Sequence, residues 1–311
     1  MDSHSARRNF VRRTLLKGAL ALPACAMSAA FAAAAMKRPV PRTGELIAAV
    51  GLGTWQVFDV AGDPAATSQA REALAAFAKG GGQLIDSSPM YGSSESVAGG
   101  LCAELGLHRQ LFIATKVWTR GEKEGVRQMR ESMSKLRIDQ KGPLDLMQVH
   151  NLVDADTQLA TLRAWKKEGV VRYLGITHYH AGAHAQLERM LRTQAIDFVQ
   201  VNYSLAEPQA EERLLDAAAA AGSAVIINRP FAEGALFARV KGKALPPFAS
   251  ELGAQSWAQL FLKWILSHPA VTCAIPGTRD PRHVMDNLGA MQGTLPDRAS
   301  RRRIRDYFQS L

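Results

Sequence analysis

Short apolar segments rich in Ile and Val alternate with longer Ala-rich amphipathic segments, and this alternation constrains the fold more than any other feature. Such a pattern is typical of repeated βαβ units, in which helices cover a parallel sheet. We predict eight strands, at Ile47 to Leu52, Gln83 to Asp86, Leu111 to Thr115, Leu144 to Val149, Tyr173 to Ile176, Phe198 to Val201, Ala224 to Ile227 and Val271 to Ile275. Eight units without a separating linker predict an α/β fold, a (β/α)8 TIM barrel formed by residues 36–311.

One interval between the predicted strands is unusually long. It runs from Arg229 to Ala254 and contains Gly234, Gly242 and a Pro-Pro pair at 246–247, so we predict a long loop after the seventh strand. Barrels of this kind carry their active sites at the carboxyl ends of the strands. Polar residues that follow each strand are therefore the candidates for chemistry.

The first 35 residues have a different pattern and are predicted to be a twin-arginine signal peptide. Residues 1–17 carry five basic residues and one acid, and residues 18–36 carry no charge. Residues 7–11 and 12–16 each resemble the export motif, an Arg pair followed by a variable residue and two apolar ones. Small residues at 29–35 offer Ala-x-Ala cleavage sites. This interpretation predicts passage through the twin-arginine translocase into the periplasm.

Two other interpretations of this segment stay open. The nineteen uncharged residues could span about 28 Å as a helix, which would make the protein membrane-anchored and facing the periplasm, although Gly18 and Pro23 disfavour that. Cys25 could be lipidated, but Pro23 fits poorly inside a lipoprotein cleavage box.

Composition excludes several classes of protein. The full chain carries a net charge of +10, and residues 36–311 keep 33 basic and 27 acidic residues, a net charge of +6. No basic stripe with interleaved aromatic residues marks a nucleic-acid surface, so we predict no nucleic-acid partner. Cys102 and Cys273 have no metal-binding or redox spacing and are predicted to be buried. No heptad or sustained apolar stripe indicates an oligomer, so a monomer is expected.

Four residues at successive strand ends form the main catalytic candidate, here called the tetrad. They are Asp86, Tyr91, Lys116 and His150. Together they suit carbonyl reduction, in which a hydride arriving at carbon must be matched by a proton delivered to the developing alkoxide. Tyr91 would supply the proton, and Lys116 would lower the pKa of the phenol from about 10. Asp86 would orient Lys116, and His150 would bind the substrate carbonyl.

At these residues the sequence resembles the aldo-keto reductase superfamily. The segments that carry the resemblance are 51–55 (Gly-Leu-Gly-Thr-Trp), 86–92 (Asp-Ser-Ser-Pro-Met-Tyr-Gly), 115–117 (Thr-Lys-Val), 148–151 (Gln-Val-His-Asn) and 275–279 (Ile-Pro-Gly-Thr-Arg). The resemblance implies that the barrel binds NADP(H), or less favourably NAD(H), without a Rossmann domain, and that the nicotinamide lies in the barrel mouth.

The same resemblance implies a set of cofactor-binding residues. Thr177, His178 and Gln200 fall at the positions that hold the nicotinamide carboxamide, with His178 replacing an amide. The segment Asn228, Arg229, Pro230 and Phe231 replaces a Tyr-Ser-Pro-Leu turn, so the stacking ring at residue 228 is absent. Either Arg229 meets the pyrophosphate or Phe231 supplies a ring from a shifted position. Near the C-terminus, the predicted adenosine-phosphate clamp consists of Thr278, Arg279, His283 and Asn287.

Substrate and function are less sharply defined by the sequence. A small-molecule carbonyl or alcohol is expected, with Trp55 and Trp118 lining an apolar cleft. Two alternatives are a nucleotide-binding redox sensor with little turnover and a hydrolase that uses Asp86 and His150. His178, Tyr179 and His180 lack a carboxylate at metal-binding spacing, so no metal site is predicted.

Overall fold

The structure, a computed structural model, describes residues 35–311. The predicted signal peptide, except for Ala35, lies outside the described residues. Residues 35–311 form ten strands, β1 to β10, at Lys37–Pro39, Leu46–Ala48, Leu52–Gly53, Leu84–Asp86, Phe112–Val117, Leu144–His150, Val171–Thr177, Phe198–Asn202, Ala224–Asn228 and Val271–Ala274. They also form ten α-helices, α1 to α10, at Pro64–Lys79, Ser94–Glu104, Glu122–Lys135, Ala155–Lys167, His184–Thr193, Leu214–Ala220, Ala235–Arg239, Trp257–Leu266, Pro281–Gly289 and Arg298–Ser310.

Strands β3 to β10 form one parallel sheet in which every strand pairs with its neighbour in the chain. The sheet closes through parallel bridges between Val50 and Ala274 and between Gly53 and Gly277. The strands are buried along nearly their whole length, because helices cover the outside and side chains fill the interior. The predicted (β/α)8 barrel is confirmed.

The first predicted strand is wrong in one respect. Residues 46–48 do not belong to the barrel wall but pair antiparallel with residues 37–39 in a hairpin. Val40 and Ile47 of this hairpin are buried among Phe112, Tyr173 and Phe198, at the end of the barrel where the strands begin. An apolar run such as 47–52 can therefore serve two elements, because the chain bends between the floor of the barrel and its wall.

The long interval after the seventh barrel strand is also more ordered than predicted. It contains α7 and two short 3₁₀ turns, at Ala232–Gly234 and Pro247–Leu252. Leu236, Phe248 and Leu252 anchor it by burying their side chains in the core. Cys102 and Cys273 are buried, as predicted.

The carboxylate of Asp145 binds the beginning of β5 at the floor of the barrel. Asp145 is fully buried and accepts hydrogen bonds from the backbone N–H of Ile113 at 2.7 Å and from Arg172 at 2.6 Å, and it pairs with Lys141 at 3.0 Å. This end of the barrel is therefore closed by charge pairs and the hairpin, while the opposite end is open. Among residues 35–311, no helix is both long and apolar enough to cross a bilayer.

Candidate active site

A cavity of about 850 Å³ opens at the carboxyl ends of the barrel strands, and the tetrad converges on it. Asp86 ends β4, Lys116 lies in β5 and His150 ends β6. Tyr91 lies in the turn before α2, and its ring packs edge-on against the His150 ring with centroids 6.1 Å apart. Residues far apart in the sequence thus meet because parallel strands all end at one rim.

Lys116 is completely buried beneath this cavity. Its Nζ donates to Oδ2 of Asp86 at 2.6 Å and to the carbonyl oxygen of Ser87 at 2.7 Å, and it lies 4.9 Å from the centroid of the Tyr91 ring. Burial lowers the pKa of Lys116, but the charge of Asp86, together with the hydrogen bonds to Asp86 and Tyr91, outweighs burial and raises it overall. Lys116 is therefore a fixed cation beside the phenol.

The pKa of Tyr91 differs from the sequence-based expectation. Lys116 does act to lower it, as expected, but burial is the larger effect and Asp86 reinforces it, so the pKa of Tyr91 is raised above 10. The phenol therefore keeps its proton at neutral pH. It is poised to donate that proton rather than to accept one.

His150 is a neutral imidazole over the whole physiological range. Burial, followed by the charges of Lys116 and His178, lowers the pKa of His150 to about 3. Its Nδ1 lies 3.1 Å from the Ser88 hydroxyl. The imidazole can thus present a neutral hydrogen-bonding nitrogen to the cavity without carrying charge.

Two glutamine amides also bind Asp86, and one of them is not among the predicted site residues. Oδ1 of Asp86 accepts from Nε2 of Gln148 at 3.0 Å and from Nε2 of Gln200 at 2.9 Å. Gln148 is fully buried in β6, a strand that is otherwise mostly apolar. An amide inside such a strand, two residues before His150, is the sequence signal that could have identified it.

The residues predicted to hold a nicotinamide form a hydrogen-bonded arc along the rim. Oε1 of Gln200 accepts from Thr177 and from Nδ2 of Asn228, both at 3.3 Å, and Asn228 also donates to the carbonyl of His178 at 3.2 Å. Oδ1 of Asn228 is buried and has no hydrogen-bond partner among the described residues. An unpartnered acceptor at the cavity wall suits a ligand that brings an N–H donor, such as a carboxamide.

A backbone hydrogen bond defines the tautomer of the His178 ring. Its Nδ1 accepts from the backbone N–H of Tyr179 at 3.0 Å, so the neutral ring carries its hydrogen on Nε2. Burial, followed by the charges of His180 and His184, lowers the pKa of His178 to about 4. The histidine can therefore donate one hydrogen bond where an asparagine would both donate and accept.

Arg229 is engaged by acidic neighbours. It pairs with Glu207 at 3.4 Å and Glu233 at 3.2 Å and donates to the carbonyl of Tyr179 at 2.9 Å. Pro230 and Phe231 follow it on the cavity wall, where the Phe231 ring packs against Phe237 with centroids 4.8 Å apart. A pyrophosphate at Arg229 would have to compete with the two carboxylates.

Backbone strain is concentrated around this mouth. Eight non-glycine residues in the described chain have positive φ, and seven of them lie in loops that follow β3, β6 and β9, namely Gln56, Asn151, Leu152, Asp154, Arg229, Ala232 and Glu233. Left-handed backbone is costly for residues with a Cβ and is found preferentially at functional sites. The strain supports the assignment of this end of the barrel as the active end.

The predicted adenosine-phosphate residues lie in and just before α9. The Thr278 hydroxyl accepts from the backbone N–H of Asp280 at 3.1 Å, and Arg279 donates to Gln69 of α1 at 3.2 Å. His283 is exposed, whereas Asn287 is buried. Gly277, directly before this segment, lines the cavity, so the segment continues outward from the catalytic centre.

Exposed apolar side chains gather at the cavity. Seven large hydrophobic residues are exposed in the described chain, and five of them line it, namely Trp55, Met90, Trp118, Tyr179 and Phe237. Trp55 is 45% exposed and Trp118 is 42% exposed, so both predicted substrate contacts are available to a ligand. The rings of His178 and His180 pack 4.3 Å apart, and residues 35–311 contain no group of three His, Cys, Asp or Glu side chains arranged to hold a metal ion.

Comparisons with known proteins agree with this geometry. The sequence profile described as "Aldo/keto reductase family" matches residues 49–302. The chain is 26% identical over 245 residues to aldo-keto reductase str7 of Strobilurus tenacellus, covering 66% of this chain and 71% of that protein. It is 26% identical over 257 residues to the putative methylglyoxal reductase DkgA of Salmonella typhi, covering 79% of this chain and 84% of that protein.

Solved structures show the same fold. An aldo/keto reductase from Klebsiella pneumoniae in complex with NADP and acetate matches with a TM-score of 0.70 at 24% identity, covering 85% of this chain and 93% of that chain. The family profile spans most of the sequence, and the tetrad is assembled at the mouth of the barrel. The chain therefore belongs to the aldo/keto reductase family and is an oxidoreductase of that type.

Proposed function

We propose that this protein is an NADP(H)-dependent reductase of aldehydes or ketones, which in reverse oxidises alcohols, with Tyr91 as the general acid and base. The observation that carries the proposal is the buried Asp86–Lys116 ion pair placed directly beside Tyr91 and His150 at an open cavity. Burying an ion pair costs free energy, so an ion pair buried beside a phenol indicates a catalytic role for that phenol.

The cofactor would be held by residues already present on the rim. Thr177, Gln200 and Asn228, with its unpartnered Oδ1, line the cavity and offer donors and acceptors that fit a carboxamide. His178 does not line the cavity, and its Nε2 would add one donor beside them. The clamp of Thr278, Arg279, His283 and Asn287 would bind the adenosine end, where a guanidinium suits a 2′-phosphate. These contacts favour NADP(H) over NAD(H). When bound, the nicotinamide supplies or accepts the hydride.

The protein's own groups would manage the proton. In the tautomer in which Ser88 donates to Nδ1, His150 would offer a hydrogen on Nε2 to the substrate carbonyl oxygen. As hydride adds to the carbonyl carbon, the C=O π electrons move to oxygen, and Tyr91 donates its proton there. Lys116 stabilises the phenolate that remains. The raised pKa of Tyr91 keeps the phenol protonated at neutral pH, which is the state that carbonyl reduction needs.

The proposed substrate is a small-molecule carbonyl compound with an apolar or aromatic part. Trp55 and Trp118 on the cavity wall would contact that part. We also propose that residues 1–35 direct export through the twin-arginine translocase, so that the folded barrel reaches the periplasm with its cofactor already bound. The doubled Arg-Arg pattern at 7–8 and 12–13 supports this localisation.

The experiment that tests the proposal is a nucleotide titration followed by a carbonyl screen. Quenching of tryptophan fluorescence by NADPH and NADH would be measured on the chain from residue 36, and NADPH consumption would then be followed with aliphatic and aromatic aldehydes and ketones. Tighter binding of NADPH and measurable reduction are expected. Binding without turnover would overturn the enzyme assignment in favour of a redox sensor, and failure to bind either nucleotide would overturn both.

A further inference from the structure

The Asp86 carboxylate is held at both of its oxygens. Oδ2 faces Lys116, whereas Oδ1 accepts from the amides of Gln148 and Gln200. The two amides also contact each other, because Nε2 of Gln200 lies 3.3 Å from Oε1 of Gln148. A carboxylate with donors on both oxygens has one fixed orientation, since rotation about its C–C bond would break three hydrogen bonds.

The two glutamines differ in what can reach them. Gln200 lines the cavity, and its Oε1 is already shared with Thr177 and Asn228 on the rim. Gln148 is fully buried and is not part of the cavity wall. A ligand on the rim can therefore draw Gln200 away from Asp86, but it cannot displace Gln148.

The barrel makes room for the Gln148 side chain. In the parallel register, Gln148 pairs with Lys116 on one side and with Gly175 on the other. A Cβ at residue 175 would lie 3.0 Å from Cγ of Gln148 and 2.9 Å from the carbonyl oxygen of Phe198. Because Gly175 has no side chain, the Gln148 amide can cross the barrel interior to Asp86.

We propose that Gln148 is a positioning residue for proton transfer: it keeps Oδ1 of Asp86 fixed, so that Oδ2 holds Lys116 facing Tyr91 while Gln200 is free to engage a ligand. This inference rests on the proposed function of Tyr91 as the proton donor. Gln148 touches neither substrate nor the reacting atoms and acts only through Asp86 and Lys116.

The titratable groups that face this network come from several elements. Tyr91 precedes α2, Asp86 is in β4, Lys116 is in β5, His150 is in β6, Cys273 is in β10 and Glu95 is in α2. Without the Gln148 amide, Gln200 would be the one donor left on Oδ1, and the Asp86 carboxylate would be oriented less firmly. Oδ2 would then hold the Lys116 ammonium less firmly against the phenol, and the pKa of Tyr91 would rise further.

The test compares Gln148→Met, which keeps the length of the side chain and removes the amide, with the matched control Gln158→Met. Gln158 is also fully buried, but its amide donates to the carbonyls of Thr119 and Gly121, outside the network. Phenolate formation would be followed by near-ultraviolet difference absorbance of the nucleotide-free protein, with the Tyr91→Phe variant as the blank. This readout does not depend on turnover.

Gln148→Met is expected to raise the pH at which Tyr91 ionises by about one unit, which corresponds to about tenfold less phenolate at a given pH. The rate of alcohol oxidation below that pH should fall by about the same factor, with affinity for NADPH unchanged. The control should show neither shift. If Tyr91 ionises at the same pH in Gln148→Met and in the unmutated protein, or if the control shifts equally, the proposal is overturned.

A second variant keeps the inference testable if Gln148→Met does not fold. Gln148→Asn retains a buried amide but is one methylene too short to reach Oδ1 of Asp86. It should shift the ionisation of Tyr91 in the same direction, and an unshifted titration would count against the proposal. If the unmutated protein reduces no carbonyl compound, the proposed function fails, but the titration still decides whether Gln148 positions Asp86.

Discussion

Tyr91 combines two properties that oppose each other, a buried hydroxyl and a neighbouring ammonium. Burial raises the pKa of the phenol more than Lys116 lowers it. Lys116 stays charged because Asp86 and Tyr91 offset its own burial. At the scale of single residues, the site is therefore built to keep a proton available and to stabilise the anion that its loss creates.

The first prediction concerns that proton. Tyr91→Phe removes the hydroxyl and keeps the ring that packs on His150, so the rate of carbonyl reduction should fall by about three orders of magnitude or more with affinity for NADPH retained. Single-turnover rates and fluorescence titration would measure the two quantities. Tyr307→Phe, in α10, is the matched control and should leave both unchanged. Retained reduction in Tyr91→Phe would refute the assignment.

The second prediction concerns stability against pH. The pKa of His150 is about 3 in the folded protein and 6.5 ordinarily, so between these values the unfolded state binds more protons. The stabilising effect of the neutral imidazole is present above pH 6.5 and is lost as the pH falls toward 3. From pH 6.5 down to ~4 the loss should be about 3 kcal/mol, since one pKa unit corresponds to about 1.4 kcal/mol.

Urea unfolding at several pH values would measure this dependence. His150→Gln removes the titrating group and should flatten the curve by that amount, while His178, whose pKa is about 4, leaves a residual slope. An identical pH dependence in the variant and the unmutated protein would show that His150 is not the group responsible.

Among the elements, α10 carries a dense run of arginines, at residues 301–303 and 305. Its run of arginines is typical of a solvated face, and Arg302 and Arg303 are exposed accordingly. Arg301, however, reaches inward and donates to Glu211, to the Tyr203 hydroxyl at 2.8 Å and to the Trp264 carbonyl. Its guanidinium also lies 4.4 Å from the centroid of the Trp264 ring. One arginine of the run therefore docks the helix onto the barrel.

The third prediction tests this docking. Arg301→Ala removes the charged donor from Glu211 and from the Trp264 carbonyl, which keep only the hydroxyls of Tyr203 and Ser267, so the free energy of unfolding should fall by about 2–3 kcal/mol. Arg302→Ala, the next residue and exposed, should change it by less than about 0.5 kcal/mol. Denaturant titration of both variants measures the difference. Equal effects of the two substitutions on the free energy of unfolding would show that Arg301, like Arg302, does not hold the helix on the barrel.

At the scale of the whole molecule, the barrel has one weak seam. Strand β3 has two residues, and residues 50–53 meet residues 274–277 through two isolated bridges rather than a continuous ladder. The N–H of Gly51 donates to the carbonyl of Ala274 at 2.8 Å, and that of Ala274 to Ala49 at 2.9 Å. A Cβ at Gly51 would lie 2.8 Å from the carbonyl oxygen of Leu84 in β4 and, across the seam, 3.0 Å from the Ile275 side chain. Closure therefore depends on a close approach of backbones.

The fourth prediction concerns this seam. Gly51→Ala should destabilise the protein by about 1–3 kcal/mol, because the added methyl group meets backbone that cannot yield. Gly100→Ala is the matched control, since nothing lies within 4 Å of its Cβ position and alanine favours the helix α2. It should be neutral or stabilising by up to about 1 kcal/mol. Thermal unfolding of both variants would measure the change in stability. If Gly51→Ala is as stable as the unmutated protein, the backbone at the seam can move to accommodate the methyl group.

Several features of the protein follow from its sequence alone. The eightfold alternation predicts the barrel because each helix buries its apolar stripe on a sheet that is covered on both faces, and this requirement is local and periodic. The same alternation places Asp86, Tyr91, Lys116 and His150 at one rim, since every parallel strand ends there. The buried state of Cys102 and Cys273 also follows from residue type.

Only the tertiary structure decided how strongly these groups act on one another. The raised pKa of Tyr91 depends on how deeply the phenol is buried, and the docking of Arg301 depends on a partner 90 residues away. The amide of Gln148 reaches Asp86 across 62 positions in the sequence, through space left by Gly175. Periodicity fixes which end of a strand a residue occupies, whereas desolvation and hydrogen bonding depend on distances that exist only when the barrel closes.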